Sequence, residues 1–188
     1  MKIFLVVLGI LLLVGLMFAG KFVSVRNELA VQNEAIAAAW SQVDVALQRR
    51  ADLIPNLVNT VKGFATHEQQ VIDSVTAARA ALGGARTPQE KIAANNQLDG
   101  AISRLLVISE NYPNLKSNEN FLRLQDELAG TENRIAIERR KYNETVQRYN
   151  TQIALFPNNL IASMSGFQRN DAYFKTDPGS RVAPKVAF

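Results

Sequence analysis

From Ile3 to Gly20 the chain carries no charge, and the run Ile3 to Val14 is apolar throughout. As a helix rising about 1.5 Å per residue, residues 3–20 cover about 27 Å, close to a hydrocarbon core of about 30 Å. Phe22 and Val23 extend the run, with Lys21 able to snorkel to the interface. The alternative is a cleaved secretory signal, which wants small residues at the first and third positions before the cut. Phe18-Ala19-Gly20 puts a phenylalanine at the third position, so an uncleaved anchor over residues 1–23 is the expectation.

Beyond the anchor the apolar residues recur at helical spacing. Ile36, Trp40, Val43, Leu47, Ile54, Leu57, Val61 and Phe64 form one stripe. No proline or glycine interrupts Lys21 to Ile54, so this first helix is expected to continue straight out of the anchor as a stiff rod. Pro55 sits inside the stripe without shifting its phase, which predicts a kink and not a chain reversal. Gly63 is placed to close the helix in a left-handed conformation, and Thr66 with Gln69 has capping-box spacing. A second helix follows with Val71, Val75, Ala78 and Leu82, ending at Gly83-Gly84. Thr87-Pro88-Gln89-Glu90 is a stronger start signal, joining an N-cap threonine, a proline at the first position and a glutamate to complete the box. The third helix carries Ile92, Leu98, Ile102, Leu105 and Ile108, and stops at Tyr112-Pro113. A cap at Ser117 opens a fourth, with Phe121, Leu124, Leu128, Ile135, Tyr142, Val146, Tyr149 and Ile153 in heptad-like order.

No strand-like alternation interrupts this pattern. The predicted fold is all-α: a transmembrane helix over 1–23, an antiparallel four-helix bundle over 24–153, and an ordered, mostly irregular segment over 154–188 packed on the bundle. That segment spaces out Phe156, Ile161, Phe167, Tyr173, Phe174, Val186 and Phe188, more aromatics than a disordered tail holds, with one short helix expected near Leu160. Trp40, Leu47, Ile54, Leu57, Phe121, Leu128 and Tyr142 are the expected core of the bundle.

Composition narrows the chemistry. The 188 residues include no cysteine and one histidine, His67. Thiolate nucleophiles, disulfides and cysteine- or multi-histidine-ligated metals are therefore excluded within one chain, and no cofactor is implied. The net charge of +4 comes mainly from the two ends, leaving a near-neutral middle without the basic clustering of a nucleic-acid binder.

The stretch Ala39 to Glu68, AWSQVDVALQRRADLIPNLVNTVKGFATHE, resembles the LemA family. Tyr112-Pro113-Asn114-Leu115-Lys116, Leu124-Gln125-Asp126-Glu127-Leu128, Thr131-Glu132-Asn133-Arg134-Ile135 and Tyr142-Asn143 are similar to it as well. So are Phe156-Pro157, Gly166-Phe167 and Pro184-Lys185-Val186-Ala187-Phe188, so the resemblance covers essentially the whole chain. Phe64 stands where a tyrosine is common, a minor departure. The resemblance implies a short N-terminal membrane anchor and a helical bundle of bacterial envelope proteins. It implies no settled biochemical activity.

The polar residues that break the apolar stripes are the candidates for function. Arg50 falls between Leu47 and Ile54, Glu68 between Phe64 and Val71, and Arg139 between Ile135 and Tyr142. Charges in such positions need partners, and Asp44, Asp52, Glu127 and Glu132 are the expected ones. An internal ion-pair network that fixes helix register is the plainer reading; a polar binding or proton-handling site between helices is the sharper one. His67, beside the predicted cap, reads as exposed, with a ligand or pH-switch role as the alternative. Asn95, Asn96, Asn143 and Asn150 either cross-link helices or face water.

Three functions fit these features. The foremost is a membrane-anchored scaffold of the bacterial inner membrane that assembles with itself, its bundle on the extracytoplasmic side as after a signal-like segment. The alternative is a monomeric adaptor for another membrane protein, such as a protease or signalling component. An enzyme using carboxylates inside the bundle comes last, for want of nucleophile and metal ligands. The expected partners are a second copy of the chain, the lipid bilayer and an envelope protein, with no nucleic acid.

Overall fold

The computed structural model describes residues 2–65 and 67–175. Its elements are all helical: α1 Lys2–Lys62, α2 Gln69–Gly84, α3 Pro88–Ser109, α4 Pro113–Lys116, α5 Glu119–Ala154 and α6 Asn158–Met164, with no strand among the described residues. The N-terminal part of α1 has a mean hydropathy of 2.9 and none of that window is buried, so α1 is long and apolar enough there to cross a membrane.

Pro55 shows how α1 keeps going. Proline has no N–H to give the carbonyl four residues back, which would leave the Ala51 oxygen without its helical partner. Arg79 of α2 supplies the missing donor, its Nε lying 2.9 Å from the Ala51 carbonyl oxygen. The proline therefore sits inside a continuous 61-residue helix.

The helix ends differ in part from the sequence expectation. The amides of Phe64 and Ala65 both return to the Val61 carbonyl, at 3.0 and 2.8 Å, so α1 closes without a left-handed Gly63. Positive φ occurs among the described residues only at Gly166, at 77°. Phe64 is correspondingly outside the stripe and exposed. Thr66 lies outside the described residues; the residue in the N-cap position of α2 is Glu68, without a side-chain capping bond. The box at Thr87 forms in full: Thr87 Oγ1 accepts from Glu90 N at 3.2 Å, and Glu90 Oε2 accepts from Thr87 N at 3.1 Å and Arg86 N at 2.8 Å. Ser117 does not cap the long fourth helix. Pro113 starts the short helix α4, which uses Ser117 as its C-cap, and Asn118 Oδ1 then accepts from Phe121 N at 3.1 Å to open α5.

The chain divides into two compact units, Met1–Ala39 with Tyr142–Asp171 and Trp40–Lys141 with Ala172–Phe188, so far as their residues are described. In the former, Val25 and Leu29 of α1 pack against Ile161 and Ala162 of α6, flanked by Phe22, Ile153 and Phe167. Gln152 Nε2 donates to Glu28 Oε1 at 3.2 Å. The chain after α6 is tied to α5 by side-chain hydrogen bonds: Tyr149 Oη donates to the Gln168 carbonyl at 3.0 Å, Asn150 Nδ2 donates to the Asn170 carbonyl at 2.7 Å, and Asn150 Oδ1 accepts from Asn170 N at 2.9 Å. Burial raises the Tyr149 pKa above its ordinary value.

In the latter unit Val43, Leu47, Ile54, Leu57 and Val61 of α1 are buried, as are Val75 of α2, Leu98 and Leu105 of α3, Leu115 of α4, and Phe121, Leu128 and Ile135 of α5. Tyr142 is buried in the unit that contains Val25 and Leu29. Trp40 is only half-buried: its ring stacks on Phe174, with centroids 6.0 Å apart and planes at 21°. Val186 and Phe188 lie outside the described residues.

Candidate functional site

The polar residues of the second unit converge on one aspartate. Arg50 projects from the apolar stripe of α1 and is 3% exposed. Its Nη1 hydrogen-bonds Asp99 Oδ1 of α3, and its Nη2 lies 3.4 Å from Glu132 Oε2 of α5. Asn95, one turn before Asp99 on α3, is fully buried and donates to Asp99 Oδ2 at 2.9 Å. Arg139 of α5 approaches the same oxygen at 3.7 Å. Its guanidinium also lies 4.9 Å from the centroid of the Phe174 ring, a cation–π contact beside the Trp40 stack.

Desolvation lowers the Arg139 pKa, Asp99 opposes that shift, and the like charge of Arg50 adds to it. Guanidinium groups nonetheless stay protonated. The cluster therefore holds fixed charge and links α1, α3 and α5 through one carboxylate.

The other sequence candidates separate from this cluster. Asp44 pairs with Lys91 of α3, and the exposed Asp52 accepts from Gln48 at 2.8 Å on its own helix. Glu68 accepts from Tyr112 Oη at 2.9 Å, which raises the tyrosine pKa. Glu127 is exposed. Of the four carboxylates expected to serve the charges on the stripes, Glu132 reaches Arg50, and that carboxylate is mostly exposed. His67 is exposed.

The main partner of Arg50, Asp99, is absent from the sequence candidates; Asn95, expected either to cross-link helices or to face water, is buried and supports Asp99 from the same helix. Their i, i+4 spacing on α3 was the available signal, because it places them on one helix face. Glu138 is likewise a buried carboxylate that the pattern did not single out. It lies seven residues after the buried Thr131 and is 3.2 Å from both Arg134 Nε and Lys141 Nζ.

A groove of about 450 Å³ opens between α1 and α5, lined by Val45, Arg49, Glu127, Gly130, Thr131 and Arg134 among others. It presents both signs of charge and the exposed Val45 side chain. Among the described residues no three His, Asp or Glu side chains stand close enough to hold a metal ion.

The LemA family model matches residues 39–188. Magnetosome protein MamQ 1 of Paramagnetospirillum magneticum is 25% identical over 178 residues, covering 81% of this chain and 65% of that protein. Magnetosome protein MamQ of Magnetospirillum gryphiswaldense is 25% identical over 188 residues, covering 85% of this chain and 69% of that protein. Protein LemA of Metamycoplasma hominis is 25% identical over 180 residues, covering 95% of this chain and 81% of that protein. The chain thus spans about 65% of the length of the MamQ proteins of P. magneticum.

Proposed function

We propose that this chain, which belongs to the LemA family, is a membrane-anchored scaffold of the bacterial envelope that self-assembles through an antiparallel four-helix bundle. The observation that carries this reading is the immediate continuity of anchor and folded protein. The charge-free run ends at Gly20, and Val25 of the same helix is already in a packed core with α6. No flexible linker separates them, so the folded unit that begins at the anchor stands at a defined height and angle to the bilayer.

Fixed orientation lowers the rotational freedom lost on association, and confinement to a plane raises the local concentration of identical surfaces. Modest lateral contacts then suffice. The Arg50–Asp99–Arg139 cluster serves this role by fixing helix register, which keeps the exposed surface the same in every copy. The apolar N-terminal part of α1, long enough to cross a membrane, supports an anchored position. For this chain the location is the inner membrane, with the folded part extracytoplasmic.

Mass measurement in mild detergent and in nanodiscs, with cross-linking in intact cells, tests the scaffold. Ladders of cross-linked copies and a multimeric mass are expected; a monomer in both settings overturns it. The adaptor reading is favoured by the mixed-charge groove of about 450 Å³ between α1 and α5, which exposes Val45 beside Arg49, Glu127 and Arg134. It predicts a monomer that cross-links to one other protein through Val45 or Arg134.

A further inference from the structure

The unit built on the anchor helix carries an unexplained apolar surface. Leu155 and Phe156, in the turn between α5 and α6, are 53% and 80% exposed, and Leu160 and Met164 of α6 are 55% and 74% exposed. Leu160 and Met164 are one helical turn apart and share a face, while Ile161 and Ala162 point the other way into the core with Val25 and Leu29. The helix α6 thus covers α1 with one face and leaves a second apolar face open, flanked by the exposed Asn159 and Ser163.

The position of this surface identifies its occupant. If the anchor ends at Val23, Val25 and Leu29 lie about 3 and 9 Å further along α1. The headgroup layer on each side of a bilayer is about 5–7 Å thick, so the two ranges overlap. Phe22, within the anchor itself, belongs to the same cluster as Ile153 and Phe167. The open apolar face of α6 and the adjoining turn are therefore at headgroup height, on the same unit as the membrane span. Lys21 and Arg26 lie on this stretch of α1 and suit phosphate-bearing lipids.

We propose that Leu155, Phe156, Leu160 and Met164 form a second membrane contact, inserting into the interface of the bilayer that α1 enters. A short amphipathic element lying in the interface buries its apolar side at the boundary between headgroups and acyl chains. Combined with the span, it gives the anchored unit two points of attachment and fixes its rotation about the α1 axis as well as its height. This inference rests on the reading of α1 as a transmembrane anchor.

The absence of cysteine makes the test direct, because single cysteines introduced into the full chain carry a spin label at one known site. The labelled variants are Phe156→Cys, Met164→Cys, Leu11→Cys within the span and Glu144→Cys on the exposed surface of α5, each reconstituted in phosphatidylglycerol/phosphatidylethanolamine nanodiscs. Power saturation with oxygen and with a water-soluble nickel complex reads lipid against water exposure. The expected result is a shift toward oxygen at 156 and 164, as at 11, and toward nickel at 144. Nickel-accessible labels at both 156 and 164 with a lipid-exposed label at 11 overturn the second contact while leaving the anchor in place. A water-exposed label at 11 overturns the anchor, and the second contact with it. A change at only one of 156 and 164 overturns the proposal for the face as a whole.

Discussion

Asp99 is the residue whose removal tests the polar cluster most sharply. Arg50 is almost wholly withdrawn from water, with a side chain 4% exposed, and its remaining partner Glu132 is 3.4 Å away on a side chain that is 64% exposed. Asp99→Leu leaves the guanidinium buried with one solvent-screened carboxylate, and it brings Arg139, which shares Asp99, into the same imbalance. Breaking a buried pair by removing one partner costs about 3–5 kcal/mol. The reverse change is milder: Arg50→Met fills much of the same volume, and Asp99, 31% exposed, retains Asn95, Arg139 and partial solvation. A loss of about 1–2 kcal/mol is expected there, roughly that of a single charge-assisted hydrogen bond. The order of the two costs, more than either value, follows from the difference in burial.

The Arg50→Met/Asp99→Leu double variant should lose less than the sum of the single changes, because an apolar replacement of a whole buried pair approaches neutrality. Urea unfolding of the full chain in mild detergent, read by circular dichroism, supplies the three free energies. Trp40 fluorescence gives an independent probe, since its stack on Phe174 lies beside Arg139. Equal costs for the two single variants, or an Asp99→Leu loss within about 0.5 kcal/mol of zero, refute the argument by showing that water reaches Arg50.

Three further outcomes are expected. Arg79→Met should destabilise by about 1–3 kcal/mol by orphaning the Ala51 carbonyl, and by much less in a Pro55→Ala background, where an amide returns to that oxygen; urea melts of the four chains decide. Glu90 has its pKa lowered by the backbone amides of Arg86 and Thr87, so its contribution is present above the unfolded carboxyl value of about 4.3 and lost as pH falls through the folded value. The difference in melting temperature between the parent chain and Glu90→Gln should therefore be present at neutral pH and shrink in acid. Asn150→Leu removes both bonds to Asn170 and should speed proteolytic cleavage after α6 while α5 stays protected; an unchanged cleavage pattern counts against the tie.

The apolar stripes made the helices legible because burial selects residues at steps of three and four, and the strong signals were local. Thr87-Pro88-Gln89-Glu90 fixes its own start, since every partner in the box lies within a few residues. Ser117 misled because two N-terminal signals lie almost together: Pro113 starts a single turn, and Asn118, one residue after Ser117, has the same capping chemistry. Gly63 misled because a turn that returns two amides to Val61 needs no positive φ.

Partner choice was the least legible layer, and α5 shows why. The row Phe121, Leu128, Ile135, Tyr142 and Tyr149 repeats every seven residues, and a parallel row brings Thr131 and Glu138 into burial. A sequence reveals that such positions face inward, but the identity of a partner depends on how two helices are offset, and one turn of offset is about 5.4 Å, more than the reach of any ion pair. Arg50 was therefore recognisable as a buried charge, and Glu132 of the expected carboxylates does reach it, while its closer partner Asp99 was not among them. The same offset gives the cluster its specificity. Sliding α3 by one turn against α1 keeps most apolar contacts in kind but separates Asp99 from both Arg50 and Arg139. Apolar burial favours a range of helix alignments, and the shared aspartate selects one of them.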